Sequence, residues 1–311
     1  MLCLSLPPLS YPFLTQRSNR MSWNDMIYEY DGTYEGFLCC IFESYVNKEF
    51  PIAFASNEES LVLSLYSVRA VETNLNHSDR IQRSLSSLSV KAAHLLYRAF
   101  YTCMDNKEAY LYAFVKKLYA DGPQFLLCRS DRACYPLYKA VRHLSGELEK
   151  LRGFVRFSDY DGIMGAEITP KNRVLPFLRQ YFCSRYAGEA FFLYDRTHGE
   201  LLLYKDGRSR IIFLDSLTLV PPSPREAEYR KLWKTFFDTV AIRERHNERC
   251  QNTFLPKRYR STMTEFQSET VITPISRRCA TPFRSRRDTC TCDTPNTRAA
   301  CSWVMHLKKR R

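Results

Sequence analysis

Apolar positions along the chain recur first at helical spacing, then at strand spacing, then at helical spacing again. Residues 27–46, IYEYDGTYEGFLCCIFESYV, read as a short strand, a turn at Asp31-Gly32 and a helix; Phe37, Leu38, Ile41, Phe42 and Tyr45 share one helical face. Residues 51–72 hold two short strand-like runs, IAFAS and LYSVRAV. Three helical segments follow. In the second, Asp105 with Glu108 three residues on suits a capping arrangement; Leu111, Phe114, Val115 and Leu118 form the face, and Gly122-Pro123 ends it. The third spans about 131–151, with Pro136 in its first turns. The period then shortens: GFVRF (153–157), AEI (166–168), AFFLYD (190–195), LLLYK (201–205) and RIIFL (210–214) read as strands. Tight connections at Thr197-His198-Gly199 and Asp206-Gly207 predict an antiparallel meander, and a helix over 171–186 with Pro176 in its first turn is inserted before it. The last helix opens on Ser223 as N-cap, Pro224 and Glu226. Its apolar face, Leu232, Trp233, Phe236, Phe237, Val240 and Ala241, is expected to pack on the meander. The pattern as a whole predicts an α+β fold, an antiparallel meander against several helices.

The ends differ from this body. Residues 1–20 carry two prolines inside their apolar stretch and no early positive charge, so they read as a disordered extension or a mis-assigned start, with Met21 or Met26 as the beginning. From 268 to 311 the apolar period dissolves into an Arg-, Thr- and Cys-rich tail, read as disordered. Residues 21–267 form the expected single domain. The net charge of +13 is uneven: +8 lies from Val271 onward and +2 in the first twenty residues, leaving +3 for 21–270. The charge of the whole chain is therefore a poor argument that the folded part binds nucleic acid. Seven of the twelve cysteines lie in the body, mostly in apolar runs, and read as free thiols in a reducing, cytoplasmic compartment. No apolar run reaches the length of a membrane span.

Candidate chemistry concentrates in residues 243–266, RERHNERCQNTFLPKRYRSTMTEF. Arg243 and Arg245 suit a helix C-terminus, where cations complement the macrodipole. That account does not reach Lys257, Arg258, Tyr259 and Arg260, which with Arg249 have the composition of a phosphate-binding strip with an aromatic beside it. Intramolecular ion pairing is the competing reading of the same residues. In LEKLRGFVRF, alternation would put Arg152, Phe154 and Arg156 on one face, either as a stacking surface or as core with arginines at a sheet edge. Asp31 and Glu35 are the candidate catalytic carboxylates, since Glu35, Cys39 and Glu43 are spaced to share a helix face. Cys290, Cys292, Cys301 and His306 lack the spacing of a zinc site, and no metal is expected. No dinucleotide, P-loop, zincin, hydrolase or iron–sulfur motif occurs, and no cofactor is expected.

The stretches YDGTYEGFLCCIFESY, LRGFVRF, AEITPKNRVLPFLRQYF, FFLYDRTHGELLLY and LWKTFFDTVAIRERHNERCQNTFLPKRY, in this order, resemble a bacterial family described as probable DNA metabolism proteins. The resemblance runs from about Ile27 to Phe266. Where the family pattern carries Pro after the Asn and Trp after the Arg-Tyr pair, this chain has Glu248 and Arg260. The second change removes an indole that could stack on a base. The resemblance implies a role in DNA repair or modification beside a radical-SAM protein, and in some members fusion to a uracil-DNA-glycosylase-like domain. The expectation is a nucleic-acid-associated accessory protein whose segment Arg243–Arg260 contacts the DNA backbone. An enzyme acting directly on DNA through Asp31 and Glu35, glycosylase-like or nuclease-like, is one alternative. A protein-binding module is another.

Overall fold

A computed structural model describes residues 24–56, 67–127, 131–160, 162–214, 217 and 224–267. Contacts divide the chain after Gln267, and the described residues belong to the first unit. The readings made for residues 1–20, for the tail 268–311 with its cysteines, and for Ser223 lie outside the described residues.

The first strand, β1 (Asn24–Tyr30), leads through a turn into α1 (Tyr34–Val46) and then β2 (Glu49–Ser56), which runs parallel to β1. Strand β3 (Ser67–Ala70) also runs parallel to β1, on its other side, giving the order β2-β1-β3. The helix begins where Thr33 Oγ1 accepts the Gly36 amide at 2.9 Å. Phe37, Leu38 and Ile41 are buried as their spacing predicts, whereas Phe42 stacks on His77 and Tyr45 is exposed. Helices α2 (Leu75–Leu88), α3 (Val90–Phe100) and α4 (Lys107–Asp121) complete this layer. Ser89 separates the first two and caps the second by accepting the Ala92 amide. One core joins them, with Tyr28, Phe37, Leu85, Leu96, Phe100 and Phe114 at its centre. Each such side chain contributes about 1.5–3 kcal/mol by leaving water. The predicted capping by Asp105 is not what the helix uses. Asn106 stands at the N-cap with φ of 51° and no side-chain cap bond, and Glu108 instead accepts the Tyr30 hydroxyl at 3.1 Å. Gly122, with φ of 71°, ends the helix as expected.

Helix α5 (Tyr135–Phe154) carries Pro136 in its first turn. It runs three residues past the predicted end, because Leu144, Leu148 and Leu151 keep burying the same face. The stretch 153–157 is therefore a helix end and a connector, not a strand. The second sheet starts at β4 (Ser158–Tyr160) and β5 (Ile163–Ile168), continues after α6 (Leu175–Arg185) with β6 (Phe191–Asp195), β7 (Glu200–Lys205) and β8 (Arg208–Phe213), and has that order. The last three strands form the predicted meander. The turns hold Gly199 at φ of 64°, then Asp206 and Gly207 at 48° and 74°, the left-handed pair of a two-residue hairpin. The sheet is mixed, since β5 and β6 run parallel with α6 as crossover. Alternation gives it two apolar faces. Phe191, Leu193, Leu202 and Tyr204 meet α5 and α6 through Leu144, Leu148, Leu178 and Phe182, while Phe192, Tyr194 and Leu201 form a smaller cluster on the other side.

Helix α7 (Pro224–Val240) overturns the expectation set by its sequence. Its apolar face does not pack on the meander: Leu232, Phe236 and Val240 are 65%, 58% and 59% exposed. The stripe turned toward the body is Glu226, Arg230, Lys234 and Phe237. Glu226 accepts the Asp159 amide at 3.1 Å and Arg230 at 2.8 Å, and Arg230 reaches Ser158 Oγ at 2.6 Å. Polar pairing with the start of β4 thus sets the rotation of the helix and leaves the apolar stripe outside. Among the described residues, no helix is long and apolar enough to cross a membrane.

Candidate functional site

After α7 the chain makes a short 3-10 turn (Arg243–Arg245), then α8 (Glu248–Phe254), α9 (Lys257–Arg260) and a last 3-10 turn (Thr264–Phe266). Asn247 caps α8 by accepting the Cys250 amide, and Pro256 starts α9. The cations of this segment divide into two sets.

The first set is turned inward. Glu147, on α5 and only 2% exposed, accepts the Lys171 amide at 3.1 Å, the Asn172 amide at 2.9 Å and the Asn172 side chain at 2.6 Å. It also accepts Arg258 Nη2 at 2.6 Å and the Tyr259 hydroxyl at 3.2 Å. Burial alone would raise the Glu147 carboxyl. The two amides, the Asn172 side chain and Arg258 outweigh it and hold the group below the usual carboxylate range. The same burial, with Glu147 beside it, pushes the Tyr259 phenol up to about 12, so it stays a donor. Tyr259 is 3% exposed and its ring lies against Phe154, so in this structure it offers no face to a base. Arg260 donates to Asn252 Oδ1 at 2.9 Å and to the Leu255 carbonyl at 3.1 Å, and covers Phe266. Arg258, Tyr259 and Arg260, predicted as nucleic-acid contacts, are thus engaged in bracing the fold.

The second set is turned outward. Arg245, Arg249 and Lys257 are exposed, and no ion pair joins them to a carboxylate among the described residues. Of Arg243 only the backbone is described.

Among the described residues the brace is one of four such pairs between Glu147 and Glu265, and a fifth, Glu49–Arg69 at 2.6 Å, lies in the first layer. Glu265 accepts Arg156 at 2.8 Å and the Trp233 indole N–H at 3.1 Å, and its carboxyl is also held low: burial raises it, but Arg156 and Trp233 win. Arg156 is therefore neither a stacking surface nor a sheet-edge charge, but the partner of a buried carboxylate. Arg173 donates to Glu200 Oε1 through Nε at 2.9 Å and Nη2 at 2.5 Å. The Glu226–Arg230 pair is the fourth. In each pair the carboxylate is buried and the guanidinium keeps one edge in water. Glu200 stands directly across the β6–β7 ladder from Asp195, itself fully buried, and His198 Nδ1 lies 2.7 Å from Asp195 Oδ2. The sequence signalled none of these carboxylates, although Glu147 falls in register with Leu144, Leu148 and Leu151 on α5, a buried position by spacing alone.

The other two candidate carboxylates sit in different surroundings. The Asp31 carboxylate accepts the Thr33 amide at 3.0 Å and hydroxyl at 2.7 Å on one oxygen, and Thr73 Oγ1 at 2.8 Å on the other. Burial opposes ionisation, but these bonds prevail and lower its pKa. Asp31 locks the end of β1 to the starts of α1 and α2. Glu35 is exposed in the first turn of α1, where its charge suits the helix dipole. Cys39, which was to join it on a face with Glu43, is buried, with its thiol on the Asn74 carbonyl at 3.2 Å. Among the described residues no group of three or more His, Cys, Asp or Glu side chains could hold a metal ion.

A stretch of α5 to the closing turn, held by buried Glu–Arg pairs across an α+β sheet, is the structural class this chain presents. Residues 105–265, just over half of it, match a family described as a domain of unknown function, DUF4130, and the chain belongs to that family. Four of the buried pairs lie inside the matched stretch, and Glu49–Arg69 lies outside it. No curated protein matches the chain in sequence.

Proposed function

We propose that this protein is a nucleic-acid-associated accessory protein of DNA repair or modification, holding the phosphate backbone through Arg245, Arg249 and Lys257. One observation carries the reading. In a segment whose other described arginines are tied into the fold, these three cations are exposed and have no carboxylate partner among the described residues. Holding an exposed, unpaired cation toward solvent adds little to stability and suits a polyanion. The radical-SAM protein implied by the resemblance would supply the chemistry, and a uracil-DNA-glycosylase-like domain is the further partner it suggests.

The test is equilibrium binding of a short DNA to the full chain across a salt series, beside the Arg245→Ala/Arg249→Ala/Lys257→Ala variant. Three phosphate contacts should flatten the slope of log affinity against log salt by roughly two to three units. An unchanged slope, or no binding by the wild-type chain, overturns the proposal.

A further inference from the structure

Helix α7 is tied to the segment that carries the outward cations. Arg260 grips α8 at Asn252 and covers Phe266, whose ring lies 5.8 Å from Phe237 on α7. The helix that carries Arg249 is therefore tied to the helix that leaves its aromatic residues outside. Trp233 is held in one orientation: its N–H is fixed by Glu265, and the Arg156 guanidinium lies 5.5 Å from the ring centroid. It remains 39% exposed. Phe236 sits beside it, with ring centroids 5.7 Å apart and planes inclined by 33°. Phe254, at the end of α8, is 72% exposed.

We infer that this surface binds single-stranded nucleic acid: unpaired bases stack on Trp233, Phe236 and Phe254, and Arg245, Arg249 and Lys257 take the phosphates. The inference rests on the function proposed above and names its substrate class. Charge complementarity selects the occupant, because an apolar face alone would suit many partners while exposed cations without carboxylate partners on the segment tied to it suit a polyanion with exposed rings. A duplex keeps its bases stacked inside and presents only the backbone, so it would use the cations and leave the aromatic residues uncovered.

The experiment measures fluorescence anisotropy of a labelled mixed-sequence 20-mer, single-stranded and as duplex, with the full chain and with Phe236→Ala/Phe254→Ala. Both substituted residues are exposed, so the fold survives, which a thermal melt checks. The expected result is at least about a tenfold preference for the single strand, lost in the double variant, with duplex affinity and salt slope unchanged. Equal binding of both forms, indifferent to the aromatic substitutions, overturns the inference while leaving the backbone-binding proposal standing. Absence of binding to either form overturns both. If sedimentation shows that the double variant turns a dimer into a monomer without affecting the single strand, the face is an interface between copies and the inference fails.

Discussion

Replacing Glu147 by Gln keeps the shape of a side chain that five donors converge on and removes its charge. One carboxylate oxygen takes the Lys171 amide, Arg258 and Tyr259; the other takes the Asn172 amide and side chain. Whichever way the glutamine amide turns, its NH2 faces two or three other donors. An unsatisfied buried donor costs about 1–3 kcal/mol, and breaking one side of a buried ion pair about 3–5 kcal/mol. These terms overlap, because Arg258 keeps one edge in water. The expected loss is about 4 kcal/mol at neutral pH, or roughly a 10 °C fall in melting temperature for a domain of this size. Urea unfolding followed by far-UV circular dichroism measures it. The pH dependence adds a second constraint. The folded Glu147 carboxyl lies below its ordinary 4.5, so its contribution is fully present above that value and is lost as pH falls through the lower, folded one. The gap between wild type and variant should therefore be constant from pH 7 to about 5 and narrow on further acidification. A double-mutant cycle with Arg258→Met should show a coupling of about 1–3 kcal/mol. A variant within about 1 kcal/mol of wild type at pH 7, or an uncoupled cycle, would refute the reasoning.

Two further outcomes can be stated. Gly36→Ala would place a Cβ 2.2 Å from Asp31 Oδ1 and 2.9 Å from Thr73 Oγ1, so the lock between β1, α1 and α2 must open; a loss of about 1–3 kcal/mol is expected from chemical denaturation, and a fully stable variant would show that Asp31 contributes nothing there. Arg173→Met leaves Glu200 buried directly opposite the buried Asp195, and should cost about 3 kcal/mol, recovered in part by adding Glu200→Gln; a melt unchanged by the first substitution would contradict the pairing.

The elements legible in the sequence were those with a local cause. The helical face of Phe37, Leu38 and Ile41, the stop at Gly122, and the hairpin at Asp206-Gly207 all follow from spacing or from residues that accept left-handed backbone. The class of fold follows from them. Strand pairing does not, because nothing within IYEY or IAFAS states that the two runs lie parallel. Arg152 to Phe157 alternates like a strand, yet α5 continues because its leucines remain in register with the core. The face of α7 misled for a different reason. Its helical period is plain in the sequence, but the side facing the body is chosen by Glu226 and Arg230, whose partners at Ser158 and Asp159 sit some seventy residues earlier. The candidate site shows the same division. Composition located the cationic segment, but which cations turn inward depends on Glu147 for Arg258 and on Asn252 and the Leu255 carbonyl for Arg260, and Glu147 lies 111 residues before Arg258.

That separation bears on how the protein is made. Glu147 and Arg156 both emerge from the ribosome about a hundred residues ahead of Arg258 and Glu265, the groups that neutralise them. A nascent chain reaching only the end of α7 holds a carboxylate destined for the interior and a guanidinium destined for its edge, each without its counterpart. Closure of this half of the molecule is then a late event in synthesis, and a chain cut short anywhere between Val240 and Pro256 would be a target for quality control and not a smaller working domain.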